Sequence, residues 1–162
     1  MRRFLTITGV LAALAALAVP LRAAAGGQVP FKASDSGSFI VSPTADPLVV
    51  LTQDFGTGTA THLGKYSLVA GELIHLDTLA VTGGSFTLTA ANGDTIHGTY
   101  AGQGAPTTEP GVISYEASGP VTGGTGRFAG ATGSLTFAGV ADLATGEFRE
   151  TVSGTLSAPG SI

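Results

Sequence analysis

The sequence has no cysteine, no tryptophan and a single methionine in 162 residues. Without cysteine there is no disulfide framework, no thiolate metal site and no cysteine nucleophile. Charge is scarce as well. Asp, Glu, Lys and Arg make up 11% of the chain, with 7 basic against 11 acidic residues, where about a quarter is usual. Three of the basic residues, Arg2, Arg3 and Arg22, fall within the first 25 positions, and only Lys32, Lys65, Arg127 and Arg149 follow. Four scattered cations cannot make the basic footprint that nucleic acid requires, so no nucleic-acid partner is expected. The same scarcity disfavours an anionic membrane surface. Helix-sustaining stretches are also missing. The 25 glycines interrupt nearly every stretch of ten residues, and each interior glycine costs a helix about 1 kcal/mol relative to alanine.

At the N-terminus, residues 1–25 read as a secretory signal. Arg2 and Arg3 form a positive start, residues 4–19 an apolar run, Pro20 a break, and Ala23, Ala24 and Ala25 a small-residue cleavage site. The run is short for a membrane span of about 20 residues, although a retained anchor is the alternative. No span is expected after cleavage. The expected location is therefore extracytoplasmic: secreted, periplasmic or in the cell envelope. Residues 26–162 are left as one domain, of a size that needs no metal to stay folded. At 43% hydrophobic residues the chain is not a disordered acidic tail.

That domain alternates Thr, Val, Phe and Tyr with small residues, the pattern of half-buried strands. Strands are expected at 36–42, 47–55, 57–61, 65–76, 85–91, 95–101, 112–118, 134–143 and 147–157. A loop is expected at 103–110, and Asn92-Gly93 is the strongest hairpin signal. Eight or nine short strands with turns between them predict an all-β fold, a closed antiparallel barrel or a sandwich. Parity puts Phe86, Leu88, Ile96, Tyr100, Ile113, Tyr115, Leu135, Phe137, Phe148, Val152 and Leu156 on one apolar face. Thr and Ser take the other face, so the exterior is expected to be hydroxylated. This disfavours a lipid-facing barrel, which is apolar outside.

The most distinctive segment runs Gly123-Gly124-Thr125-Gly126-Arg127-Phe128-Ala129-Gly130-Ala131-Thr132-Gly133. Gly124, Gly126 and Ala129 match a dinucleotide fingerprint, but glycines and a strand follow instead of the helix such a site needs. The glycines permit tight turns, with Phe128 available to cap a barrel end. The segment resembles the GGTGxFxxAxG signature of dirigent proteins and the glycine turn of allene oxide cyclases. It is closer still to small secreted bacterial proteins with an allene-oxide-cyclase-like barrel. Residues 58–64 fit that layout more loosely. The resemblance implies a closed antiparallel barrel of about eight strands with an apolar cavity, often trimeric in plant members, so a homo-oligomer is a possible state. It carries fold and not activity, because the glycine turn is structural in that family. The cyclase's catalytic glutamate and the acidic pocket residues of dirigent proteins have no motif counterpart here.

Chemistry is thinly marked. Glu150 shares parity with Phe148, Val152 and Leu156, where burial would raise its pKa and suit it to acid–base work. The favoured reading instead solvates it at a rim or moves it outside through a bulge. His62 shares parity with Tyr66 and Leu68 and is the other catalytic candidate, while His97 falls on the outer face. No His-x-His metal pattern and no nucleophile elbow occurs, so no metal and no cofactor is implied. Tyr66, Tyr100, Tyr115, Phe137 and Glu150 are the expected ligand contacts. Small residues such as Gly98 and Ala117 beside them leave room for a cavity. The expected function is a secreted, non-catalytic barrel that binds a small apolar ligand or serves a structural role. The alternative is a cyclase or isomerase acting on a reactive apolar intermediate, and a third reading uses the Thr-rich face for surface interactions.

Overall fold

The computed structural model describes residues 27–160. The expected signal, residues 1–25, lies outside the described residues. Eight strands run β1 (Gln28–Pro43), β2 (Val49–Ala60), β3 (Gly64–His75), β4 (Ala80–Ala90), β5 (Thr95–Pro106), β6 (Val112–Gly124), β7 (Gly133–Asp142) and β8 (Glu147–Ser157). Each pairs antiparallel with its chain neighbour, and β8 closes on β1, so the sheet is a closed barrel without edges. Closure satisfies the backbone groups that an open sheet would leave exposed.

Several boundaries differ from the sequence pattern: β4 begins at Ala80 rather than 85, β6 runs on to Gly124 rather than 118, and three further differences have a plain reason in the pairing. The two expected strands at 47–55 and 57–61 are one, because Gly56 stays in register between Gly37 and Leu68. The expected loop at 103–110 is strand as far as Pro106, where Gln103, Gly104 and Ala105 pair with Glu116, Tyr115 and Ser114. β1 begins eight residues before the expected strand, since its first half pairs with β8. Its Ser and Gly content hid that pairing from an apolar alternation test.

The barrel has a closed end and an open end. The start of β1, the end of β8 and the connections 61–63, 91–94 and 125–132 lie at the closed end. There Phe31, Phe128, Leu88, Ile96, Leu135, Val152 and Leu156 are fully buried. Phe128 sits on a short 3-10 turn, Gly126–Phe128, and is 1% exposed. Burying such a ring contributes about 2 kcal/mol. Gly123 and Gly124 end β6, Gly133 begins β7, and Gly126 and Gly130 take positive φ. Gly126 (φ 56°) also abuts the carboxylate of Asp94. A side chain there would meet both strain and collision. The glycine segment is thus a structural plug.

The exterior departs from the hydroxylated face expected. Thr99, Thr151, Ser153 and Thr155 are exposed as anticipated. The outer face of β1–β3 instead carries an apolar stripe, with Ile40, Leu51, Phe55, Val69 and Leu73 all exposed. Phe55 lies opposite Val69 and Leu51 opposite Leu73, so the pairs cover one another across the ladder. Among the described residues no helix is long and apolar enough to cross a membrane.

Candidate functional site

The open half of the barrel holds a cavity of about 280 Å3. Its mouth is lined by Val41, Ile74, Leu76, Leu79, Ile113 and Leu143, and its wall by Phe39, Phe86, Phe137 and Phe148. The rings of Phe86, Tyr100 and Phe137 cluster, with centroids 5.2, 5.5 and 6.4 Å apart. Six polar side chains reach the same space: Thr52, Asp54, Glu72, Tyr100, Tyr115 and Glu150.

All three tyrosines are built into one repeated arrangement. Each donates its hydroxyl to a carboxylate two strands away, across a glycine on the strand between. Tyr66 on β3 reaches over Gly58 on β2 to Asp35 on β1. Tyr100 on β5 lies against Gly84 on β4 and donates to Glu72 on β3 at 2.5 Å. Tyr115 on β6 crosses Gly139 on β7 and donates to Glu150 on β8 at 2.9 Å. A methyl on Gly84 would stand 2.6 Å from the Tyr100 ring, and one on Gly139 2.7 Å from the Tyr115 hydroxyl. The glycines leave the channel that each phenol occupies.

The carboxyls themselves pair off. Asp35 faces Glu150 across the β1–β8 ladder, and Asp54 lies beside Glu72. Asp35 is only 7% exposed, and its Oδ1 has no hydrogen-bond partner. Burial pushes the Glu150 carboxyl up to about 8, helped by the Asp35 charge and opposed by the Tyr115 hydrogen bond. Glu72 is likewise pushed to about 8 by burial and then by the charge of Asp54. Burial raises Asp35 and Asp54 too, against hydrogen bonds that lower them. The tyrosines are raised by burial and by the neighbouring carboxylates, so they remain neutral donors. At neutral pH Glu72 and Glu150 are therefore held mostly protonated, able both to donate and to accept a proton.

For Glu150 the sequence favours a solvated rim or a bulge, and the structure corrects this. The β8 register has no bulge there, and the side chain points into the cavity. Arg149 is exposed, as parity required. His62 is corrected in the other direction. It lies exposed in the β2–β3 turn at the closed end, with φ 68° and its Nε2 3.2 Å from the Pro30 carbonyl oxygen. The turn breaks the two-residue alternation, so parity counted back from Tyr66 does not reach it. Tyr100, Tyr115, Phe137 and Glu150 line the cavity, whereas Tyr66 is buried below it with Asp35. His97 is exposed on the outer face.

Sequence reasoning missed Asp35, Asp54 and Glu72. Glu72 carried a usable signal, since it shares parity with Tyr66, Leu68, Ala70 and Ile74. Asp35 fell one residue outside the strand assigned by pattern. Among the described residues no group of three or more His, Asp or Glu side chains is placed to hold a metal ion. Comparison of the chain with protein-family models, curated proteins and solved structures gives no match.

Proposed function

We propose that the chain is an extracytoplasmic β-barrel that holds a small apolar molecule in its lumen. The observation that carries this reading is the cavity of about 280 Å3 opening among leucine, isoleucine and valine side chains. A ligand site of this kind is concave and mostly apolar, with a few polar groups that fix orientation. The leader-like residues 1–25 support export. The glycine plug and the eight-strand barrel support kinship with the allene-oxide-cyclase and dirigent barrels, read from the 123–133 segment. If the chain self-associates, the stripe of Ile40, Leu51, Phe55, Val69 and Leu73 is the surface a second copy would cover.

Native mass spectrometry of the protein purified without detergent tests the binding reading. An apolar passenger recovered in repeated preparations, and lost on organic extraction, is the expected result. Repeated recovery of bare protein that also fails to take up added n-octanol would contradict it.

A second reading, a cyclase or isomerase acting on a reactive apolar intermediate, is favoured by Glu72 and Glu150. A neutral carboxylic acid beside an apolar ligand can protonate an epoxide oxygen as the C–O bond breaks. The carboxylate so formed then takes a proton from the neighbouring carbon, giving an unsaturated alcohol and restoring the acid. With 1,2-epoxyoctane as probe, this reading expects isomerised product above the buffer rate and its loss in Glu150→Gln. Binding without turnover would leave the protein a carrier.

A further inference from the structure

The reading above leaves the polar end of the ligand unspecified, and the distribution of charge along the barrel specifies it. The connections at the open end, with the strand ends that flank them, carry Asp46, Asp77, Glu109, Asp142 and Glu147 and contain no Lys or Arg. Three of the four cations among the described residues lie at the other end: Lys32, Lys65, and Arg127 in the glycine plug, 3.5 Å from Asp94. The fourth, Arg149, points outward from β8. The mouth is thus anionic and the base cationic. A mouth of one charge sign over a low-dielectric channel concentrates counter-ions of the opposite sign.

Inside, the acidic character continues without a basic counterpart. Asp54 and Glu72 from β2 and β3 and Glu150 from β8 line the cavity with no cationic side chain among its lining residues. Beneath them the buried Asp35 turns toward Glu150, hydrogen-bonded to it and to the Tyr66 hydroxyl, and no cation neutralises the pair. Buried carboxyls are ordinarily paired with a cation or fully hydrogen-bonded. The wall beside them is the aromatic cluster of Phe86, Tyr100 and Phe137, whose ring faces favour a positive group. The carboxyls converge in pairs, and no three are placed for a metal ion. One organic ammonium head with an apolar tail satisfies every feature: acids at its head, aromatic rings beside it, and aliphatic side chains along its length.

We propose that the lumen selects amphiphilic amines, seating the ammonium among Asp54, Glu72 and Glu150 and the alkyl chain toward the leucine mouth. This rests on the luminal-binding reading and narrows it. Binding of the cation displaces a proton from the carboxyl cluster to solvent. Affinity therefore rises with pH over the range in which Glu72 and Glu150 would otherwise hold protons. The groups facing Glu150 are Asp35 from β1, Tyr115 from β6 and, more distantly, Asp54 from β2. Those facing Glu72 are Asp54 and Tyr100.

Calorimetric titration of the full chain with n-octylamine, n-octanol and n-octanoate at pH 6 and pH 8 tests this. Octylamine is expected to bind at least about tenfold tighter than octanol at pH 8, the margin of a charge-assisted over a neutral hydrogen bond. Octanoate is expected to bind weakest, and octylamine alone to gain affinity from pH 6 to pH 8. In a Glu72→Gln, Glu150→Gln double variant, folded by circular dichroism, the amine-to-alcohol ratio is expected to fall toward one. Octanol binding as tightly as octylamine in the wild type would overturn the amine selectivity while leaving the luminal site intact. Failure of all three probes to bind would overturn the luminal reading itself, and the selectivity with it.

Discussion

Asp35 on β1 and Glu150 on β8 stand directly opposite one another across the ladder that closes the barrel, and both face its interior. Like charges so placed are destabilising. The pair persists because a proton removes one of the charges, and because Tyr66 and Tyr115 each supply a hydrogen bond to it. Asp54 and Glu72 form a second acid pair on the diagonal of the β2–β3 ladder, where Asp54 is opposite Ala70 and Glu72 opposite Thr52, with Tyr100 as the donor to Glu72.

The first consequence is an unusual dependence of stability on pH. Glu72 and Glu150 start from 4.5 and rise to about 8 in the folded chain. Between those values the folded state holds more protons than the unfolded state, so stability is full below about pH 4.5 and falls as pH rises toward 8. Thermal unfolding followed by circular dichroism is expected to give a higher Tm at pH 5 than at pH 8. The difference is expected to be on the order of 4 °C or more, the shift that roughly 1 kcal/mol produces in a domain of this size. Glu72→Gln and Glu150→Gln are each expected to flatten the slope.

Removing a tyrosine hydroxyl separates hydrogen bonding from burial. The Tyr115 hydroxyl favours the ionised form of Glu150, so Tyr115→Phe is expected to move the Glu150 midpoint upward, read by carbon-detected NMR of the side-chain carboxyl. A midpoint that falls or stays in place would show that the Tyr115–Glu150 bond does not act on the carboxylate. Gly139→Ala is expected to break the same bond, because its methyl would occupy the space of the hydroxyl.

At the closed end Phe128 acts through packing alone. Phe128→Ala is expected to destabilise the barrel by about 3–5 kcal/mol, the cost of emptying an aromatic site in a core. Urea unfolding measures this. A loss under about 1 kcal/mol would mean that the glycine segment does not plug the barrel.

Parity made the interior legible: Phe86, Leu88, Ile96, Leu135, Val152 and Leu156 are buried where two-residue alternation put them. Tyr100 and Tyr115 were legible for the same reason. The carboxyl pairs were not, because pairing depends on register between strands far apart in the chain. Asp35 meets Glu150 only after β8 closes on β1. The register shifts between Gly71 and Leu73 and between Val81 and Gly84 that set the Tyr100–Glu72 contact leave no mark on alternation. His62 was misplaced because a turn resets parity, and the outer apolar stripe was obscured by the Thr and Ser interleaved with it.

The most direct test of a ligand-holding lumen is calorimetric titration of the wild type and Ala70→Phe with n-octanol. Ala70 lines the cavity between Asp54 on β2 and Phe86 on β4, so the added ring would fill the space. Saturable one-to-one binding to the wild type, lost in a folded Ala70→Phe, is the predicted result. Absence of saturable binding to the wild type, or equal binding to both proteins, would contradict it.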